Sequence, residues 1–430
     1  MGNENSQFDV VVVGAGVIGL SSAYHIKKND PTLSVLVLDS NTAPAQGESA
    51  KSVAAVRDCF TSEVNRLLAG SSIEFYKHVQ AELGFNLHLD LISYLWLYSE
   101  FQFKQFDLIE KELRENGVRL RVWDRKEIAA MIPDLVVDPN SEQSHLIGLE
   151  SVFGAVQALN CGTVSPELVA RFYENEFRKL GGEFQFRTEV RSLVLAPKNR
   201  LNLPGEPHIW QEKFFSGVRT IQGTILADTV VLAAGVRTPW LLDAVGVDCL
   251  VKPKKRQVFQ LRGNTLERLL NTKGLNEQDV IPFTILPKSG IHFRPVRGER
   301  SIWVAAADEL GRPFKLEEEP AAEEMYYNYD VNPVLSEYFP CFAGLRPTSS
   351  WAGHYDINSL DGAPILDRVS NCVIVTGLSG SGIMKADAVG RVAAAVLEGK
   401  PEAVLFNGRA FTVSRLGLEK RNVERERFVL

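Results

Sequence analysis

The chain has 430 residues, 45% hydrophobic and 23% charged, which is globular usage and excludes collagen, coiled coil or long disorder as a whole-chain description. Its length, about three times the commonest domain size, points to two domains or one elaborate α/β unit. A formal charge of −6 with scattered lysines and arginines speaks against a nucleic-acid partner.

The first six residues, Met1-Gly2-Asn3-Glu4-Asn5-Ser6, fit the loose myristoylation pattern, a match short enough to arise by chance. A strand from Phe8 to Val13 then starts at once and is expected to leave no room for a cleavable leader. No run approaches the roughly 18 apolar residues of a membrane helix. The five cysteines, Cys59, Cys161, Cys249, Cys341 and Cys372, are an odd number without CxxC spacing, which fits reduced thiols. A cytoplasmic protein is expected, with peripheral attachment to a membrane left open. No metal is called for.

FDVVVVGAGVIGLSSAYHIKKNDPTLSVLVLDS reads as strand, glycine turn, helix, Asn-Asp-Pro turn, strand. The β-branched run Val10 to Val13 suits a strand buried on both faces of a parallel sheet. Gly14, Gly16 and Gly19 make GxGxxG at the strand-to-helix junction, and Asp39 ends the second strand. Gly14 permits the tight turn, Gly16 the close approach of a pyrophosphate, and Gly19 the packing of helix on strand. The helix N-terminus offers free N–H groups to phosphates, and Asp39 can accept from a ribose hydroxyl.

Helical patterns follow at about residues 62–82 and 102–116, with NLHLDLISYLWLYSE between them alternating like a strand pair. SPELVARFYENEFRKLGG is a marked helix, with Ser165 as cap, Pro166 in the first turn and a Gly-Gly stop. FQFRTEVRSLVLA is a strand, residues 199–216 a polar loop or hairpin, and residues 225–242 a second sheet strand ending in Ala233-Ala234-Gly235. VFQLRG, GIHFRPV and SIWVAAA are strand-like, and the acidic GRPFKLEEEPAAEE reads as a solvated loop. VIVTGLSGSGIMKADAVGRVAAAVLEGK then repeats the N-terminal logic, with a helix from about Met384 to Glu398. The charged run EKRNVERERFVL reads as a frayed tail, or as one whose apolar Phe428-Val429-Leu430 docks on its own chain or a neighbour.

The second glycine turn, Gly377 to Gly382, has no acidic ribose partner downstream. It suits the edge of a flavin ring, where aligned N–H groups stabilise the negative charge of the reduced form. That favours FAD over NAD.

The segments VVVGAGVIGLSSAYHI, GESAKSVAAVR, GTVSPELVARFYENEFRKLGG, TVVLAAG, GLRPTSSWAGHYDINSLDGAPIL and TGLSGSGIMKADAVGR resemble the D-amino-acid-oxidase/sarcosine-oxidase superfamily of FAD-dependent amine oxidoreductases over nearly the full chain. WAGHYD and GLSGSGIM most resemble the sarcosine oxidase β-like and dye-linked L-proline dehydrogenase branch. The resemblance implies an α/β fold: a Rossmann-like FAD-binding domain from discontinuous segments (1–85, 146–240 and 345–405) and an α+β substrate domain with a mostly antiparallel sheet (86–145 and 241–344). Residues 406–430 would form a C-terminal tail. It further implies that Gly14, Gly16, Val17 and Ile18 hold the pyrophosphate, Asp39 and Ser40 the ribose, and Lys51 and Ser52 the flavin side. Val190, Ala234 and Gly235 would lie near the adenine end. Gly380, Gly382, Ile383 and Met384 would line the pyrimidine edge of the isoalloxazine.

Flavin amine oxidation moves a hydride equivalent from the carbon α to nitrogen. The protein must position that C–H, fix the carboxylate and keep the amine neutral. Arginine suits the carboxylate, and Arg57 is the candidate, an ion-pair role being the alternative. His292 and Phe293, with His354 and Tyr355, should lie on the substrate side, and His292 and Tyr355 join Arg57 as catalytic candidates. His25 reads as structural.

Monomeric sarcosine oxidases attach FAD through a cysteine just before the DINSLDGAP-like segment. Here that neighbourhood is Trp351 to Tyr355 and the nearest upstream cysteine is Cys341, so non-covalent FAD is expected, with a link through His354 formally open. Those oxidases also carry a lysine near N5, and the matching strand SIWVAAA has none. The leading expectation is therefore a dehydrogenase of a secondary amino acid, L-proline first, passing electrons to a quinone, dye or redox protein. One alternative is a sarcosine-type oxidase using O2. Another, of a different class, is a non-catalytic FAD-binding assembly factor, because such factors share a WAG-Y-D-like segment. A homo-oligomer or a place in a larger complex is open.

Overall fold

The runs Val10 to Val13 and Val35–Leu38 carry no polar face, so each is stable only with both faces covered. The computed structural model, which describes residues 7–132, 134–287, 289–308 and 310–427, puts them at the centre of an eight-stranded sheet. Gln7–Val13 pairs in parallel with Gly223–Leu232 on one side and Val35–Leu38 on the other. Glu183–Gln185 and Cys372–Thr376 extend the parallel core, and Ile365–Val369 closes one edge antiparallel. The hairpin Val190–Pro197/Lys213–Thr220 leans antiparallel on Gly223–Leu232. The expected Rossmann-like α/β unit is there.

Helices cover this sheet. Val17–Asn29 and the small-residue helix Gly382–Leu397 lie close enough for the Ser21 hydroxyl to donate to the Ala386 carbonyl at 2.7 Å. Between them His25 Nε2 meets Asp387 Oδ1 at 2.8 Å, and Arg391 holds the other carboxylate oxygen at 2.7 Å. His25 is thus a structural cross-link, as its place in the sequence suggests.

The second sheet also has eight strands, in the order Ser349–Asn358, Val251–Leu261, Ser301–Ala306, Ile291–Val296, Phe283–Ile285, Tyr94–Tyr98, Gly154–Ala158, Leu120–Asp124. Every pair is antiparallel except Phe283–Ile285 with Tyr94–Tyr98. Strand alternation gives it two unlike faces. Leu95, Leu97, Phe259, Leu261, Phe293, Ile302 and Val304 form an apolar core on one. By the same alternation Tyr94, Trp96, Phe283, His292, Arg294, Trp303, Arg256 and Tyr355 share the other.

Several expectations need correction. NLHLDLISYLWLYSE yields one strand, not two, because its first half makes only a bridge from Asp90 to Thr163. FQFRTEVRSLVLA breaks at Arg187, which adopts a φ of 54°, into Glu183–Gln185 and Val190–Pro197. The strand expected to end in Ala233-Ala234-Gly235 stops at Leu232, and the rest of that stretch holds the helix Thr238–Asp243. Gly154–Ala158 and Ser349–Asn358, inside stretches expected in the FAD-binding domain, pair in the second sheet.

The described part of the tail is docked rather than frayed. Arg421 makes two 2.6 Å contacts to Asp361. Glu426 accepts the Thr61 N–H at 2.8 Å and the Ser62 N–H at 3.2 Å, and Glu424 the Glu63 N–H at 3.2 Å. Carboxylates there satisfy open donors at the start of the helix Glu63–Ala81. The myristoylation pattern and Phe428-Val429-Leu430 lie outside the described residues.

Candidate cofactor and substrate site

The turn after Gln7–Val13 can be made only by glycine. Gly14 has a φ of 105°, and a Cβ there would stand 2.4 Å from the Ala233 carbonyl oxygen. The turn opens the helix Val17–Asn29, whose first N–H meets only the Ser49 hydroxyl, at 3.2 Å. Asp39 closes the arrangement from the next strand: Oδ2 accepts the Ala15 N–H at 2.7 Å and Oδ1 the Asn41 N–H at 2.8 Å.

From this turn a cavity of about 760 Å³ runs to the second glycine turn. Of the expected cofactor residues, Gly14, Gly16, Val17, Ile18, Asp39, Ser40, Lys51, Ser52, Val190, Ala234, Gly235, Gly380, Gly382 and Ile383 line it, as does Tyr355. Met384 does not: its side chain is buried in the helix-covered core. Arg57 and His292 also lie outside the lining. No cysteine is among the lining residues, and Cys341 packs against the other core. The donor set fits a dinucleotide, with helix N–H groups for phosphate and an acid at the end of the second strand. All five cysteines are free thiols.

The second turn also calls for glycine. Gly380 has a φ of 81°, and a Cβ on it would meet the Tyr355 ring at 2.2 Å. Tyr355 is covered by this turn on one side and sees the Arg256 guanidinium at 5.4 Å on another. Burial raises its phenol, which stays protonated at neutral pH. His354 next to it is tied on three sides. Its N–H donates to Glu48 Oε2 at 2.6 Å, its Nδ1 lies 3.5 Å from Glu48 Oε1, and its Nε2 accepts the Glu317 N–H at 3.2 Å. Burial would raise Glu48, but these His354 contacts and Lys51 outweigh it and hold the carboxyl low.

The acidic stretch 311–324 is not a solvated loop. Glu317 and Glu323 pair with Lys255 at 3.2 and 2.8 Å, Arg312 with Glu323 at 3.2 Å and with Asp308 at 2.8 Å, and Asp308 with Arg256 at 2.9 Å. Glu318 reaches across to Arg237 at 2.7 Å, and both line the cavity. The stretch is a strap over the mouth, and much of its acidic charge, which looks solvated in the sequence, pairs with Arg237, Lys255 and its own Arg312.

Beyond the lining, Arg57 belongs to a buried cluster. Its guanidinium sits 4.3 Å from the Phe60 ring centre and 5.8 Å from that of Trp96. Lys385, absent from the sequence expectations, stands 5.2 Å from the same Phe60 ring. Its amine donates to Asn65 at 2.8 Å and Ser381 at 2.7 Å, both neutral. Burial, then the nearby Arg57 charge, push it down to about 7. Its signal in the sequence was a lysine in the first turn of a helix rich in Ala and Val, GIMKADAVGRVAAAVL. From Trp96 an aromatic row runs through Tyr94 (5.4 Å) and Phe283 (4.2 Å) to His292 (5.2 Å). His292 Nδ1 lies 3.0 Å from the Gly290 carbonyl, which can only accept, so the proton is on Nδ1. Burial pushes His292 down to about 4, keeping it neutral with Nε2 as an acceptor.

Fold and cavity together define a dinucleotide-dependent oxidoreductase with a second sheet laid over its cofactor site. The chain matches the family model "FAD dependent oxidoreductase" over residues 9–396 and belongs to that family. Its cofactor is FAD. It is 26% identical over 427 residues to the bovine (Bos taurus) FAD-dependent oxidoreductase domain-containing protein 1, covering 91% of this chain and 81% of that one. It is 21% identical over 370 residues to sarcosine oxidase subunit beta of Arthrobacter sp, covering 84% and 79%. The crystal structure of L-proline dehydrogenase from P. horikoshii superposes with a TM-score of 0.73 at 20% identity, covering 92% of this chain and 95% of that one.

Proposed function

We propose that the protein is a dehydrogenase oxidising the Cα–N bond of a secondary amino acid, L-proline first, and delivering the electrons to a quinone- or dye-type acceptor. The observation that carries this reading is the cation pair Arg57 and Lys385 around Phe60, beside an aromatic row. A guanidinium and an ammonium suit a substrate carboxylate through charge-assisted hydrogen bonds. FAD supplies the two-electron acceptor. The chain's residues do the rest: Arg57 and Lys385 hold the carboxylate, Trp96, Tyr94 and Phe283 exclude water from an apolar ring, and neutral His292 offers Nε2 as an acceptor. Tyr355 and the Gly380 turn position the reacting face. The similarity to the L-proline dehydrogenase fold agrees with this substrate.

We place the cofactor-binding roles on the lining residues given above and hold the FAD to be non-covalent, since the imidazole nitrogens of His354 are both engaged. The strand Ser301–Ala306 carries no lysine, which favours a dehydrogenase over a sarcosine-type oxidase. A cytoplasmic protein working at a membrane surface suits a quinone acceptor. Among the described residues no helix is long and apolar enough to cross a membrane.

A second reading, a non-catalytic FAD-binding assembly factor, draws on the WAGHYD segment and the similarity to FAD-dependent oxidoreductase domain-containing protein 1. Anaerobic addition of amino acids to the flavoprotein separates the two: the dehydrogenase bleaches and the assembly factor does not.

A further inference from the structure

Asp356, next to Tyr355, lines the cavity but has no part in the reading above. Its Oδ2 accepts the Leu378 N–H at 3.1 Å, and its carbonyl accepts the Ser379 N–H at 3.2 Å. Two residues on, the Asn358 N–H donates to the Ser379 hydroxyl at 3.0 Å. The end of the strand Ser349–Asn358 is thus laced to the glycine turn 377–382, in which Gly377, Ser379 and Gly380 all hold positive φ.

We propose that Asp356 positions this turn and takes up one proton from solvent for each two-electron reduction of the bound FAD. The inference rests on FAD binding and not on the identity of the substrate.

Reduction brings two electrons and one proton to the cofactor, leaving one new negative charge in the cavity. A carboxylate in the same low-dielectric space opposes that charge, and the opposition is relieved when it binds a second proton. The balance is two electrons from the reductant, one proton to the flavin and one from water to Asp356. The carboxyl is already poised for this: burial raises it to about 6 against the opposing pull of the Leu378 and Gly377 N–H groups, and Glu48 adds repulsion. The other charged groups around it come from several elements. Lys51 and Glu48 lie on the loop before residue 55, with His354 on the strand beside Asp356. Lys254, Lys255 and Arg256 lie on the paired strand Val251–Leu261, where Arg256 contacts Asp308 and Lys255 contacts Glu317 and Glu323. Arg237 and Glu318 pair across the mouth. The turn itself adds no charge.

The test uses the holoprotein with Asp356→Asn, which keeps a carbonyl acceptor for Leu378, and Asp356→Glu, which keeps the acid. The midpoint potential of the flavin is followed by anaerobic dye-coupled titration from about pH 6 to about pH 8, with dithionite as reductant, and proton uptake is counted in weak buffer. Wild type and Asp356→Glu should lose potential with pH twice as steeply as Asp356→Asn and take up one more proton per electron pair. Equal slopes and equal proton counts overturn the proposal. If Asp356→Asn does not retain FAD, the wild-type count decides: two protons per electron pair sustain the proposal and one contradicts it. Neither readout needs an amino-acid substrate, so failure of the proline assignment leaves this test intact.

Discussion

The two glycine turns do similar work by different means. The first is local: Gly14, Ser49 and Asp39 fall within 36 residues, and backbone geometry plus one acid builds the nucleotide end. The second is assembled. Gly380 is shaped by Tyr355 from a strand of the other sheet, the turn is laced to Asp356, and the cation pair beside it joins Arg57 to Lys385, 328 positions apart. Binding of the nucleotide is written in a short stretch of chain, whereas the reacting end exists only once both sheets have formed.

The contrast is sharpest in the glycines. Gly14→Ala should abolish FAD retention, because its new Cβ meets fixed backbone, 2.4 Å from the Ala233 oxygen, at a φ of 105°. Gly380→Ala meets a side chain, the Tyr355 ring, which can swing away. It should keep FAD and lose turnover, and bound flavin absorbance after gel filtration tells the two apart. Equal FAD loss in both variants would erase the distinction.

Lys385→Met comes next in size. It removes one charge-assisted partner and should weaken binding of a carboxylate by roughly 10- to 150-fold, or about 1.5–3 kcal/mol. The measurement is flavin perturbation by 2-furoate, which has no amine to titrate. The same ligand reads the pH dependence. The free Lys385 amine is depressed to about 7, and a bound anion raises it, so the carboxylate binds the protonated form. Affinity should be greatest below about pH 7 and fall as pH rises through and beyond it. In Lys385→Met that dependence should vanish.

Smaller effects probe the periphery. Glu426→Ala uncaps the start of the helix Glu63–Ala81 and should cost about 1 kcal/mol in urea unfolding. Arg237→Gln opens the strap contact to Glu318 and should speed FAD dissociation no more than a few-fold, because both groups are partly exposed. A larger change would make the strap a main retainer of the cofactor.

The same division sets what could be read from the sequence. The βαβ unit, the glycine turn and Asp39 were legible because their spacing is their geometry. Fourteen expected cofactor residues line the cavity; those around Gly14 and Asp39 lie in that short-range pattern, whereas Lys51, Ser52, Val190, Ala234 and Gly235 were expected from the family resemblance. Met384 is outside the lining because adjacent helix positions face different ways: Ile383 borders the cavity and Met384 is buried in the core. Lys385 was missed because nothing local marks a lysine as facing Arg57. The strap was misread because Glu317, Glu318 and Glu323 find cations on residues 237 and 255, pairings that only the tertiary fold creates, and Glu323 adds Arg312 of the strap itself.

The most direct test is the anaerobic spectrum of the purified flavoprotein before and after L-proline, with sarcosine and D-proline alongside and Lys385→Met as control. The proposed function predicts rapid bleaching of wild type by L-proline and little in Lys385→Met at the same concentration. A flavin left oxidised by all three amino acids would contradict the amino-acid dehydrogenase reading and advance the non-catalytic one.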